Sequence, residues 1–454
     1  MKTGIRVVCF IILLLIFAIQ PVCAQESQKN VEKKDSVKIK KWRFPILPAI
    51  SFDSDLGFQY GALMNIYYYG DGSTYPEYLH SLYIEWSQTT KGSGISRLYY
   101  DSEYLLPNKR ITADISYLTE KAMQFYGFNG YDAVYNPNWE DDTHPDYRSR
   151  LYYRHDRRIF RAMASIQGNI SKSTNKYKWI AGFAYYNVKV GPLDLDRLNK
   201  GKEEGDKLPD IPGLYDNYVS WGVIRPEEQD GNKVTYLKGG IIYDTRDFDF
   251  NPFKGIWSEA VLSYAPDFLG NWNSDYWKLT LIHRQYFTIV PKKLAFAYRV
   301  GYQGTIAGEV PFHMQPHIVP TFLTGASSQG LGGSRTLRGV LRNRVVGDGI
   351  ALGNLEMRWK FLETVILNSK IFLGTNVFFD IGGVVDKIEI NTSEVPVDEF
   401  NDFFDIGADG VHMSTGIGLK AGLNDNFIVS FDFGKALDSR DGNTGFYISL
   451  NYLF

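Results

Sequence analysis

From about Phe44 to Phe454 the chain repeats one pattern: stretches of 9 to 14 residues alternate apolar with polar side chains, separated by Gly, Asn, Asp or Pro. In Leu355-Glu356-Met357-Arg358-Trp359-Lys360-Phe361 every second residue is apolar. Successive strand side chains point to opposite faces, so Leu355, Met357, Trp359 and Phe361 share one face and Glu356, Arg358 and Lys360 the other. Val411 to Leu423 and Trp277 to Ile282 alternate in the same way. The last stretch sets Phe446, Ile448, Leu450, Tyr452 and Phe454 against Tyr447, Ser449, Asn451 and Leu453. Phe454 is thereby expected on the apolar, lipid-facing side of the final strand, as a C-terminal signal.

Two architectures accommodate such strands. In a soluble sandwich the apolar face meets a second sheet and strands run about 5 to 6 residues. In a transmembrane barrel it meets lipid, strands need about 9 to 11 residues, and polar side chains fill the lumen. Strand length selects the barrel. Tyrosine runs such as Tyr67-Tyr68-Tyr69, Tyr99-Tyr100 and Tyr185-Tyr186 suit interfacial girdles. The pattern predicts an all-β fold, a 16-stranded antiparallel transmembrane β-barrel. Its strands begin near Phe44, Phe58, Tyr78, Ile95, Arg110, Arg157, Lys176, Val234, Gly255, Asp275, Lys293, Gly349, Lys370, Gly410, Asn426 and Gly445. An even count puts both termini on the periplasmic side. The long excursions at 121–156, 191–232, 306–348 and 384–409 then fall outside the cell. Short turns such as Pro291-Lys292, Leu423-Asn424-Asp425 and Asp247 to Phe253 fall inside.

The N-terminus follows different rules. Lys2 and Arg6 precede an apolar run from Val7 to Ile19 and then Pro21-Val22-Cys23-Ala24, the layout of a secretory signal cleaved near Ala24. Residues 25–43, lysine-rich and polar, read as a disordered periplasmic leader, and 44–454 as the barrel. Both cysteines of the 454-residue chain, Cys9 and Cys23, lie in the signal, so the mature chain offers neither a disulfide nor a thiolate metal site. With 49 Lys+Arg against 51 Asp+Glu there is no basic excess for nucleic acid, and 15% aromatic residues argue against disorder. No stretch after residue 20 is apolar for long enough to span a membrane as a helix.

Three further features lie in the second half. Gly332-Gly333-Ser334-Arg335-Thr336-Leu337-Arg338-Gly339-Val340 sits in the 306–348 excursion, Gly353-Asn354-Leu355-Glu356 opens the next strand, and Phe378-Phe379-Asp380-Ile381-Gly382 lies on the one after. Together they resemble the Omp85 superfamily (bacterial surface antigen family), whose barrels insert or translocate proteins. The first resembles its sixth-loop signature and the last its F-x-D-x-G strand. Tyr243-Asp244-Thr245-Arg246-Asp247 with Asn251-Pro252-Phe253-Lys254-Gly255 is similar to its mid-barrel hairpin. Landmarks cover 234–454; residues 44–233 match by strand pattern alone. The resemblance implies a long sixth extracellular loop folding into the lumen, with Arg338 donating to Asp380 and Glu356 as a second acceptor. Val340 stands where relatives carry Phe or Tyr. The 18 or so residues before the barrel are too few for the periplasmic POTRA domains of relatives.

Physical chemistry supports the pairing independently. Asp380 shares its face with Phe378 and Gly382 and points inward, while a guanidinium binds a carboxylate through two charge-assisted hydrogen bonds. Gly332, Gly333 and Gly339 allow close approach of the loop beside Leu337. A charge-swapped pair is expected to restore the contact in part. Enzymatic readings lack support: the seven histidines form no H-E-x-x-H arrangement, and Pro316 disfavours a helix aligning His313 with His317. The acidic run Asp398 to Asp405 reads as a solvated face, with calcium left open. The expectation is an outer-membrane barrel for protein insertion or translocation, needing no cofactor, touching lipid, client proteins and a separate periplasmic partner, but no nucleic acid. The rival classes are a passive solute pore and a lipid or peptide hydrolase.

Overall fold

The computed structural model describes residues 41–54, 56–74, 78–171, 173–248, 251–271, 275–318, 330–366, 369–423 and 427–454. The signal segment, the leader as far as Lys40, and the turn residues Asp249, Phe250, Asn424 and Asp425 lie outside them.

Sixteen antiparallel strands close into a barrel. The first, β1, is a broken strand of three pieces, Trp42–Arg43, Ile46–Pro48 and Ser51–Asp53, all lying along β2 (Gly57–Tyr68). There follow β3 (His80–Thr89), β4 (Ser93–Leu106), β5 (Lys109–Gln124), β6 (Arg154–Ser171), β7 (Thr174–Gly191), β8 (Lys233–Asp244) and β9 (Gly255–Ala265). The rest are β10 (Tyr276–Val290), β11 (Leu294–Gly308), β12 (Gly349–Ile366), β13 (Ser369–Asp386), β14 (His412–Leu423), β15 (Phe427–Ala436) and β16 (Thr444–Leu450). Strands pair in chain order, and β16 meets β1. Pairing already begins at Trp42 and Arg43, within the stretch expected to be leader. Several strands are longer than the 9 to 14 residues of the sequence pattern, because β6, β7, β12 and β13 each continue for 18 residues.

The side chains follow the alternation. Leu355, Met357, Trp359 and Phe361 are exposed on the outside, whereas Glu356, Arg358 and Lys360 are 0%, 3% and 7% exposed. Polar inside and apolar outside is the inversion a lipid-facing barrel requires. The loops that follow β5 (125–153), β7 (192–232), β11 (309–348) and β13 (387–411) all leave from one end, and short turns join the strands at the other. Over the loop end Tyr126, Trp139, Tyr153, Tyr218, Trp221 and Phe403 pack as part of one buried cluster drawn from the third, fourth and seventh loops.

Phe454 departs from expectation. Asn451 takes φ 64°, a left-handed conformation Asn tolerates better than most residues, so β16 stops at Leu450 and the chain turns inward. Tyr452 and Phe454 are buried at 5% and 8% exposure, and the Phe454 ring packs on Arg299, Arg358 and Tyr286 instead of lipid. The interruptions in β1 have a parallel cause, since Pro45 and Pro48 lack the amide hydrogen a ladder uses.

A cation at the middle of the outer belt should therefore be costly where one inside is not. Met357→Arg is expected to lower stability in lipid vesicles by about 2–4 kcal/mol, read from urea unfolding, while Met357→Leu stays near wild type.

Candidate functional site

The sixth loop returns towards β12 through a buried segment held by its own backbone. Leu331 bridges Val345, and Gly333 N–H donates to the Val340 carbonyl at 2.9 Å. Thr336 Oγ1 accepts from Gly332 N at 2.9 Å and donates to the Gly332 carbonyl at 3.0 Å, closing the turn. Gly332, Gly333 and Gly339 adopt φ 111°, 78° and 99°. Gly339 is decisive: a Cβ there would come within 2.6 Å of the Gly434 backbone on β15. Leu337 and Val340 are buried with Leu331, Val345, Ile350 and Leu352. Val340 needs no aromatic ring to fill its place.

This turn presents Arg338 to the wall. Its Nε donates to Asp380 Oδ2 at 2.9 Å and one terminal nitrogen to Oδ1 at 3.0 Å, a two-pronged bond to β13. The other terminal nitrogen donates to Glu356 Oε1 on β12 at 2.7 Å. The guanidinium carbon sits 3.5 Å from the centre of the Phe378 ring, which seals it from below. Arg338 is 1% exposed and both carboxylates 0%. Burial opposes the charge on Arg338, but Asp380 and Glu356 outweigh it and raise its pKa above the ordinary value. Gly382 lies behind the tip, where a Cβ would touch Leu331 and Leu337.

The network is wider than the sequence motifs. Asp380 accepts four hydrogen bonds: from Arg338 N, Nε and a terminal nitrogen, and from Asn354 Nδ2 at 2.7 Å. Asn354 Nδ2 also reaches the Thr336 carbonyl, and its Oδ1 accepts from Arg299 Nε at 2.8 Å. Glu356 accepts Asn376 Nδ2 at 3.2 Å and Arg358 Nε at 2.8 Å. Arg358 donates onward to the Phe454 main-chain oxygen at 2.8 Å. Gly339 N–H donates to Tyr447 Oη on β16 at 3.1 Å, so the loop tip touches the last strand. Past the tip, Arg342 pairs with Glu120 on β5, and Arg344 donates to the carbonyls of Gly130 and Ala133 in the third loop. The spacing of Arg338, Arg342 and Arg344 was the available signal for these anchors; Asn354 stands in the Gly353-Asn354-Leu355-Glu356 stretch, which assigned it no role, and Arg299 carried no signal beyond its inward position.

The other candidates lie apart. His313 and His317 occupy a buried turn of the sixth loop, where burial and then the positive Arg157 hold His313 down at about 3. They line separate cavities of about 20 and 10 Å³. Among the described residues no cluster of three metal-ligating side chains forms.

With this geometry in view, a family model described as the Omp85 superfamily domain matches residues 96–454. The chain belongs to the Omp85 superfamily. Among solved structures it is similar to BamA from Haemophilus ducreyi lacking POTRA domains 1–3, with TM-score 0.53 and 16% identity, over 91% of this chain and 70% of that one. CdiB from Escherichia coli matches with TM-score 0.55 and 9% identity, over 90% of this chain and 63% of that one. This Omp85 barrel thus spans less than two thirds of that CdiB chain, and at such identities the likeness shows the fold alone. No curated protein matches. As an Omp85 barrel the chain is placed in the Gram-negative outer membrane.

The surroundings of Asp380 alter the charge-swap expectation. Its carboxylate also holds the Arg338 amide and Asn354, which an arginine at 380 would leave unsatisfied. Arg338→Ala, Asp380→Ala and the swapped protein should all free the loop at a cost of about 3–5 kcal/mol. Protease cutting within 330–348 in purified barrels should rise in all three, with no rescue by the swap.

Proposed function

We propose that this barrel inserts proteins into the outer membrane or translocates them across it, using the junction of β1 and β16 as the entry for client strands. The observation that carries this reading is the weakness of that junction. Among the described residues only Tyr447 with Asp53 and Ile448 with Phe52 pair there, supplemented by bonds from Ser54 N and Oγ to the Phe446 carbonyl, each at 3.1 Å, and from Phe446 N to Ser54 Oγ at 2.6 Å. The β12–β13 ladder, by contrast, runs from Gly349–Asp386 to Ile366–Ser369. Below Phe52, among the described residues, β1 pairs with β2 alone, and β16, which ends at Leu450, does not continue along its other edge. Unpaired backbone groups at membrane depth are costly, and an extended client segment satisfies them by adding a strand. Trp42, Phe44 and Ile46, exposed along that edge, offer apolar contact.

Arg338, Asp380 and Glu356 serve in this proposal as the anchor of the sixth loop, bracing the lumen while the junction opens. The bond from Gly339 to Tyr447 supports a link between anchor and junction. A separate periplasmic partner delivers the client. The buried loop and the aromatic cap favour this over a passive pore, which in planar bilayers gives large, steady openings rather than small, flickering ones. The site's groups are committed to one another as ion pairs and amide bonds, which favours transport over hydrolysis.

The mature chain expected from the sequence has no cysteine, so Phe52→Cys with Ile448→Cys makes a clean crosslink across the junction. Oxidation should abolish insertion or translocation in cells and reduction restore it. Full activity with the junction covalently closed would remove this mechanism.

A further inference from the structure

On the outward face, near the loop end, four cations form a row across neighbouring strands. Arg158 on β6 lies directly opposite Lys189 on β7. Lys233 on β8 faces Asn187, the same-face neighbour of Lys189, and Lys121 sits in the β5 bulge two residues beyond Thr119, the partner of Arg158. Their chain neighbours Arg157, Val188, Val190 and Val234 are buried inward, which turns the row outward. Lys189 and Lys233 are exposed and the Arg158 side chain is half-exposed. Like charges directly opposite across a strand pair repel.

The acids nearby neutralise only one member of the row, Arg158, whose Nε and one terminal nitrogen donate to Asp156. Asp156 binds Arg158 at 3.1 Å, and Asp194 pairs with Arg197 at 3.4 Å. Among the described residues no carboxylate forms an ion pair with Lys121, Lys189 or Lys233. Immediately towards the barrel middle the same face turns apolar and aromatic: Tyr117, Phe160, Phe183 and Leu237 are 40–47% exposed, and Phe160 packs with Tyr185. A band of aromatic and apolar side chains capped by cations marks the depth at which lipid headgroups lie.

We propose that the row Lys121–Arg158–Lys189–Lys233 binds the phosphate of an anionic outer-leaflet lipid, whose acyl chains lie along Phe160, Phe183 and Leu237. A phosphate oxygen set placed between Arg158 and Lys189 converts their repulsion into two charge-assisted contacts. The proposal rests on the outer-membrane placement and is independent of transport activity.

Native mass spectrometry of the barrel in neutral detergent tests it, with lipid A, phosphatidylcholine and inorganic phosphate as probes. Wild type should retain lipid A about tenfold more than phosphatidylcholine, and millimolar inorganic phosphate should not displace it. Arg158→Gln with Lys189→Gln should cut lipid A retention by about tenfold or more, as should Lys189→Gln with Lys233→Gln. Asp156→Asn, which releases the Arg158 guanidinium, should increase retention. Undiminished retention in folded double variants would overturn the site, and displacement by inorganic phosphate would overturn the lipid as its ligand.

Discussion

A buried guanidinium is stable only where its charge and all its donors are met, and Arg338 meets that condition through Asp380 and Glu356. Each partner alone would be an expense: a carboxylate stripped of water at 0% exposure costs more than its share of any pair restores. The arrangement holds because the lumen of a lipid-exposed barrel is polar already, and because Asn354, Asn376 and Arg358 satisfy the remaining lone pairs. The glycine at 339 is the geometric condition for it, letting the loop backbone rest on the backbone of β15.

Mechanical consequences follow from where the partners sit. Asp380 and Glu356 belong to β13 and β12, two of the four 18-residue strands, paired with each other from end to end. The junction of β1 and β16 lies in the weakest part of the wall, shortened by Pro45, Pro48 and Asn451. A barrel with one stiff side and one weak side concentrates any opening at the weak side. The loop tip spans the two, anchored on β12 and β13 and touching Tyr447 on β16.

Much of this was legible in the sequence. Period-two alternation is written into every strand because lipid on one side and polar lumen on the other impose opposite demands on adjacent residues, and it placed Glu356 and Asp380 on the inward face. Arg338 was recognisable from the glycines around it. Phe454 was misplaced because alternation carries no information about a single left-handed residue, and Asn451 reversed the direction of the tail. The roles of Asn354, Arg299 and Tyr447 were not legible for another reason: strand register brings positions 299, 354 and 380 side by side although they are far apart in the chain, and Tyr447 is reached only by the folded loop tip.

Hydrogen exchange of the sixth-loop amides in the purified, lipid-reconstituted barrel addresses the buried ion network most directly. Amides of Gly333, Arg338, Gly339 and Val345, all bonded within the loop or to the wall, should exchange as slowly as those of β12, and Glu356→Gln with Asp380→Asn should make them fast while β12 stays protected. Fast exchange of these amides in the unaltered protein would mean that Arg338 is not held, and would contradict the account.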